Sequence, residues 1–176
     1  MLVLVRGLPG SGKSTFARWM LEQGIIEKIN ETDDFFMDGG KYRFDGRAIA
    51  TAHDWNIART HAYFFHNPAG RLAVANTFVH LEEMHPYRAI AQRFHVPLSI
   101  VVCSGQYKNV HGVSDLTIDQ RRRQWEPIDP AWAIEEISVE QFKNTQSLWD
   151  ARIAIFAPSV TKRKFTHASD VRSANP

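Results

Sequence analysis

Along the first two thirds of the chain, continuous apolar runs alternate with stretches of helical spacing. Met1 to Val5 is unbroken in its apolar character, as in a short strand buried on both faces of a parallel sheet. Lys13 to about Leu21 has helical spacing, and Gly24 supplies its stop. Ile25 to Ile29 predicts a second strand, Leu72 to Ala75 a third and Val96 to Cys103 a fourth. Glu31 to Arg43 reads as a loop turning at Gly39-Gly40. Asp45 then caps a long helix to about Phe65, with Ile49, Ala52, Trp55, Arg59 and Tyr63 at helical spacing. Asn67-Pro68-Ala69-Gly70 closes it. A helix from Leu81 to about Phe94 carries Pro86 in its first turns. After the fourth strand come a loop over Ser104 to Gly112 and a basic helix over Ser114 to Trp125. Pro127 and Pro130 interrupt the chain. Ser138-Val139-Glu140-Gln141 matches a capping box and opens a last helix to about Ile153.

This order predicts an α/β fold with a mainly parallel sheet and helices on both faces. Ligands of such folds bind at the carboxyl ends of the strands. Each of the first three strands is followed there by a polar or Gly-rich cluster, and the agreement among the three directs attention to that edge.

Gly7-Leu8-Pro9-Gly10-Ser11-Gly12-Lys13-Ser14 fits the whole Walker A pattern at a strand-to-helix junction. The expectation is therefore a three-layer P-loop NTPase or kinase fold that takes ATP with Mg²⁺. The glycines let backbone N–H groups curl round phosphates, and the helix start directs further N–H groups at the same anion. Pro9 pre-sets the turn and Thr15 continues the first helical turn. Lys13 is expected on the β- and γ-phosphates, and Ser14 on the metal.

Transfer to a hydroxyl needs a carboxylate to orient that hydroxyl and accept its proton. Asp33 is the candidate, with Asp34 beside it as a holder of metal-bound water or acceptor. The third strand ends in Ala75-Asn76-Thr77 where P-loop proteins often place an acid. Asn76 and Thr77 can hydrogen-bond water or acceptor but carry no charge. Lys108, His111, Arg121, Arg122 and Arg123 form a basic lid candidate. Consecutive helical residues point about 100° apart, so only some can face the phosphate. Arg122 and Lys108 are preferred.

Composition narrows the picture further. The chain has 176 residues, 44% of them hydrophobic and 23% charged, enough for one domain with a real core. A formal net charge of +2 does not by itself argue for nucleic-acid binding. Cys103 is the single cysteine, so no intramolecular disulfide forms, and the eight His residues show no metal-ligand spacing. No run reaches transmembrane length, and Arg6 interrupts the apolar start, which argues against a signal peptide and for a cytoplasmic protein. The expected organisation is a domain over 1–156, with a helical extension over 127–156, followed by a basic, flexible tail over 157–176.

The phosphate loop together with Thr32-Asp-Asp-Phe-Phe36, Tyr42-x-Phe44, Ala52-His-Asp-Trp55, Ala75-Asn-Thr77, Met84-His-Pro-Tyr87 and Asn109-Val-His-Gly-Val113 resembles the small P-loop kinases related to polynucleotide 5′-hydroxyl kinase. The resemblance runs from residue 2 to about Glu126. It implies ATP- and Mg²⁺-dependent transfer to a hydroxyl on a nucleic acid, DNA being favoured over RNA. Asp33 matches the family's general base, and Lys108 to Gly112 its lid. Phage-type enzymes carry a strand-gripping arginine where this chain has Phe36, a lid arginine where it has His111, and a strand acid where it has Asn76 or Ala75. An aromatic side chain at 36 would suit stacking on a base. The acceptor therefore stays open between a 5′-hydroxyl end and a hydroxymethylated base, as in phage-type 5-hydroxymethyluracil DNA kinases. A small-metabolite or nucleotide kinase, and a nucleotide-dependent binding module without turnover, are the other readings.

Overall fold

A computed structural model describes residues 1–107, 112–128 and 134–137. Strands β1 (Leu2–Arg6), β2 (Lys28–Asn30), β5 (Leu72–Asn76), β6 (Leu98–Cys103) and β7 (Ile134–Ile137) form one sheet in the order β2-β5-β1-β6-β7. All its pairings are parallel. β3 (Met37–Asp38) and β4 (Lys41–Tyr42) make a separate antiparallel hairpin. The helices are α1 (Lys13–Glu22), α2 (Ile49–His66), α3 (His85–Arg93) and α4 (Asp115–Arg123).

Alternation along the central strands divides the core in two. Leu2, Leu4, Leu72, Val74 and Ile100 face Phe64 of α2 and Tyr87 and Ile90 of α3. Val3, Val5, Ala73, Ala75 and Val101 face Phe16, Ala17 and Met20 of α1. β1 and β5 are buried along their whole length, which explains their unbroken apolar sequences. The three-layer α/β architecture of a P-loop NTPase is thereby in place.

Local signals set the boundaries. α1 ends in a Schellman motif: Gly24 adopts φ 66°, its N–H donates to Leu21 O at 3.0 Å, and Ile25 N–H donates to Met20 O at 2.9 Å. Ile25 and Ile26 are thus spent on closing the helix, and β2 starts at Lys28 rather than at Ile25. Asp45 caps a 3-10 turn over Gly46–Ala48 that runs into α2. Pro86 lies in the first turn of α3, where its missing N–H costs nothing. Gly39 and Gly40, with φ 53° and 80°, form the hairpin turn between β3 and β4.

β7 is a correction. Its four residues fall inside the stretch expected to be a helical extension, yet they pair with β6 from Ile100↔Ile134 to Cys103↔Ile137. The last predicted helix, to about Ile153, and the tail lie outside the described residues. Among the described residues, no helix is long and apolar enough to cross a membrane.

Candidate active site

β1 delivers the chain to Gly7, whose N–H donates to the Thr77 carbonyl at 3.3 Å. A Cβ at Gly7 would stand 2.3 Å from Ser11 Oγ and 2.6 Å from the Cys103 carbonyl oxygen, so only glycine fits between the loop and β6. Gly10 and Gly12 hold φ 79° and 92°, the left-handed region that turns the loop back on itself. Tyr107 N–H donates to Gly10 O at 2.8 Å and braces the outer side of the loop. Leu8 and Pro9 form its half-buried shoulder. Lys13, Ser14 and Thr15 occupy the first turn of α1, where backbone N–H groups lack intrahelical acceptors.

Two observations fit this cradle to phosphate. Ser11 Oγ is buried without a hydrogen-bond partner. The Lys13 ammonium donates to the Leu8 carbonyl at 3.0 Å, a neutral acceptor of its own loop. Burial pushes the Lys13 pKa down to about 8, with the Arg121 charge adding to the fall and Cys103, Glu31 and Asp33 opposing it. An anion in the loop would reverse that penalty. For a divalent cation the donors are the Ser14 hydroxyl and neighbouring carboxylates. Among the described residues no group of three or more His, Cys, Asp or Glu could hold a metal.

The segment expected to face an acceptor is a 3-10 turn over Thr32–Phe36 at the carboxyl end of β2. Buried polar contacts fix it from below. Thr32 N–H donates to Asn76 Oδ1 at 2.9 Å, Asn30 Nδ2 to Thr60 Oγ1 at 3.0 Å, and Asn56 Nδ2 to the Tyr87 hydroxyl at 3.1 Å. Asn76 therefore carries the turn rather than facing a ligand with its carbonyl. Asp34 is tied as well: its carboxylate accepts from Arg59 at 2.5 Å and from Glu31 N–H at 3.2 Å, while Arg59 stacks 4.1 Å from the Trp55 ring centroid. Asp33 points the other way. It is half-buried, accepts from the Tyr42 hydroxyl at 3.2 Å, and its charge acts on Lys13. Burial, then the Asp33 charge and hydrogen bond, push the Tyr42 pKa up to about 12, so the hydroxyl stays a donor at neutral pH.

Phe36 does not offer the face expected of it. It is 5% exposed and sealed by rings of Phe35, Tyr42 and Phe44, at centroid distances of 5.4, 6.3 and 5.1 Å. Of the rings packed round it, Phe44 is the most exposed, at 58%. On α4 Arg122 is exposed and pairs with Asp119 at 2.8 Å. Arg121, one residue back, turns inward, where its guanidinium reaches Thr77 Oγ1 at 3.5 Å and its charge acts on Lys13. Lys108 and His111 lie outside the described residues.

Sequence reasoning also passed over Glu31 and Arg6. Glu31 is half-buried, and burial, with the nearby Asp34 and Asp33 charges, raises its carboxyl pKa above the ordinary value. Its signal was only its place beside Asp33. Arg6 is a fully buried cation ending an otherwise apolar strand, and that oddity was visible.

The chain is similar to known proteins in sequence and in fold. Over 93 residues the chain is 41% identical to human NEDD4-binding protein 2, a match that takes in 53% of this chain but spans only 5% of that protein. A sugar kinase from Janibacter sp. HTCC2649 superposes with a TM-score of 0.60 at 12% identity, over 92% of this chain and 98% of the other. Kti12 of Chaetomium thermophilum, solved with ADP-AlF3, gives 0.58 at 14%, over 86% and 98%. These two likenesses speak for the fold. Residues 2–108 match the AAA domain family model, more than half of the chain, and the protein belongs to that family.

Proposed function

We propose that the protein is an ATP- and Mg²⁺-dependent kinase acting on a hydroxyl of a nucleic acid. The observation that carries this reading is Asp33: half-buried in the turn after β2, it accepts from the Tyr42 hydroxyl at 3.2 Å, and its charge acts on Lys13 of the phosphate loop. In the transfer step the acceptor oxygen bonds to the γ-phosphorus and its proton passes to the Asp33 carboxylate. The bond from that phosphorus to the β,γ-bridging oxygen breaks, and its electron pair leaves with ADP. Lys13 and Arg121 are placed to neutralise charge on the γ-oxygens. Ser14 would help to hold Mg²⁺, which would supply positive charge against the negative charge that develops during transfer.

A run of rings from Trp55 through Phe35 and Phe36 to Tyr42 and Phe44 supports a planar acceptor. Stacking on an aromatic ring contributes roughly 1–3 kcal/mol per base. The test follows labelled γ-phosphate from ATP, offering 5′-hydroxyl oligonucleotides beside end-blocked DNA containing 5-hydroxymethyluracil. Label on free ends makes this a polynucleotide 5′-hydroxyl kinase, and label on blocked DNA alone makes it a base-modifying kinase. Transfer only to a mononucleoside or sugar overturns the nucleic-acid acceptor. Tight ATP binding without transfer to any of these leaves a binding module.

A further inference from the structure

We propose that Glu126 is a positioning residue that seats α4 and so holds Arg121 against the γ-phosphate of a bound nucleotide. The inference rests on reading the phosphate loop as an ATP site with Arg121 as its second cation, and is independent of the acceptor.

None of the 9 residues of α4 is buried, and Leu116 is 70% exposed. A helix is ordinarily seated by an apolar face packed on its neighbours. Because α4 buries no such face, contacts of the chain that leaves it set where its side chains point. Glu126, five residues beyond Arg121, supplies them through both backbone and side chain. Its N–H donates to the Val79 carbonyl at 3.1 Å, and its own carbonyl accepts from Arg6 at 2.8 Å. Its carboxylate accepts from Leu81 N–H at 2.7 Å and lies 3.1 Å from His80 Nδ1. Val79, His80 and Leu81 follow β5 in the same segment as Thr77, whose carbonyl accepts from Gly7 N–H of the phosphate loop at 3.3 Å. Phe78 bends that segment with a left-handed φ of 49°, its buried ring packed on Tyr87. The Thr77 hydroxyl lies 3.5 Å from the Arg121 guanidinium. One short segment thus braces the phosphate loop at one end and anchors α4 at the other, and Arg121 closes the circuit. The Glu126 side chain is 47% exposed, so truncating it removes the anchor and spares the core.

Calorimetry on the full chain measures the affinity of AMP-PNP, which carries a γ-phosphate, and of ADP, which does not, both with MgCl₂. The proteins compared are the parent, Arg121→Ala, Glu126→Ala and the double variant. Arg121→Ala should weaken AMP-PNP by about 10- to 100-fold, as for loss of a charged hydrogen bond to phosphate. Glu126→Ala should weaken it by about 5- to 20-fold, with ADP affinity in both variants within about twofold of the parent. The double variant should match Arg121→Ala within about twofold, because an anchor that acts through Arg121 has nothing left to place. A merely structural loss would weaken both nucleotides alike and multiply with Arg121→Ala; either result overturns the proposal. So does an unchanged AMP-PNP affinity in Arg121→Ala or in Glu126→Ala. Glu126→Asp, whose shorter side chain loses the reach to Leu81, should shift AMP-PNP in the same direction; it carries the test if Glu126→Ala does not fold. A parent protein that binds neither nucleotide overturns the ATP reading itself.

Discussion

The Arg6 guanidinium lies 3.8 Å from the centroid of the Trp125 ring and joins the last residue of β1 to the chain beyond α4. Its nitrogens donate to the carbonyls of Phe78 at 2.5 Å, Val79 at 2.8 Å and Glu126 at 2.8 Å. The Glu126 carboxylate in turn accepts from Leu81 N–H at 2.7 Å. The carboxyl end of α4 is thus fixed to the same strand that launches the phosphate loop, and α4 carries Arg121. Burial lowers the Arg6 pKa to about 10, which leaves the side chain charged at neutral pH.

Arg6→Leu should therefore be strongly destabilising. It removes the Arg6 donor from three carbonyls, of which Val79 keeps Glu126 N–H at 3.1 Å, at about 1–3 kcal/mol for each that stays buried and unpaired. A loss of at least about 3 kcal/mol in urea unfolding is expected. Trp125→Ala should cost about 1–2 kcal/mol, since it removes only the stacked ring. A change below about 1 kcal/mol for Arg6→Leu would show that the clamp contributes little.

The two adjacent aspartates should separate cleanly. Asp33→Asn is expected to lower transfer by about 10²- to 10⁴-fold with ATP affinity nearly unchanged, as for loss of a general base. Asp34→Asn should instead weaken the Arg59 ion pair that holds the turn. Its signature is a stability loss of about 1 kcal/mol with a modest effect on rate. Single-turnover rates and thermal melts on both variants read the difference.

Most of this site edge was legible because backbone chemistry left a trace in residue types. The Walker A spacing names its own loop, and the Gly39-Gly40 pair announces a hairpin turn. Side-chain direction was not legible. Arg121 and Arg122 are chemically alike, and only the seating of α4 decides which faces Lys13. Phe36 and Phe44 likewise differ only in how the hairpin folds over the 3-10 turn. β7 was not legible because Ile-Glu-Glu-Ile spaces its apolar residues three apart, a helical rather than a strand interval; an edge position tolerates such a sequence.

Arg121→Ala and Arg122→Ala test that seating. Removing a cation that neutralises transition-state charge is expected to lower transfer by about 10²-fold or more. Removing Arg122, paired with Asp119 on the exposed face, should leave the rate within about twofold. The opposite ranking would mean that α4 turns when nucleotide binds.

The aromatic positions divide in the same way. Phe36→Ala should destabilise by about 3–5 kcal/mol, as for a buried ring in close packing. Phe44→Ala should change stability by less than about 1 kcal/mol and raise KM for a nucleic-acid acceptor. An unchanged acceptor KM in Phe44→Ala would remove this ring from substrate recognition.

Nucleotide binding should also be coupled to protons above pH 8. Before binding, desolvation of the half-buried Lys13 ammonium lowers its pKa from 10.5 to about 8. Phosphate oxygens beside it favour the charged form and raise that pKa in the complex. At pH 6.5 Lys13 is protonated in both states and takes up nothing. At pH 9 roughly ten in eleven unliganded molecules have lost the proton, from a one-unit excess of pH over pKa, whereas the complex holds it. Binding at pH 9 should therefore take up close to one proton, and affinity should fall by about tenfold per pH unit once pH exceeds 8. Calorimetry in buffers of different ionisation enthalpy counts that proton. Lys13→Met should abolish the uptake. A count that is the same at pH 6.5 and pH 9 in the parent protein would place the Lys13 pKa outside this range.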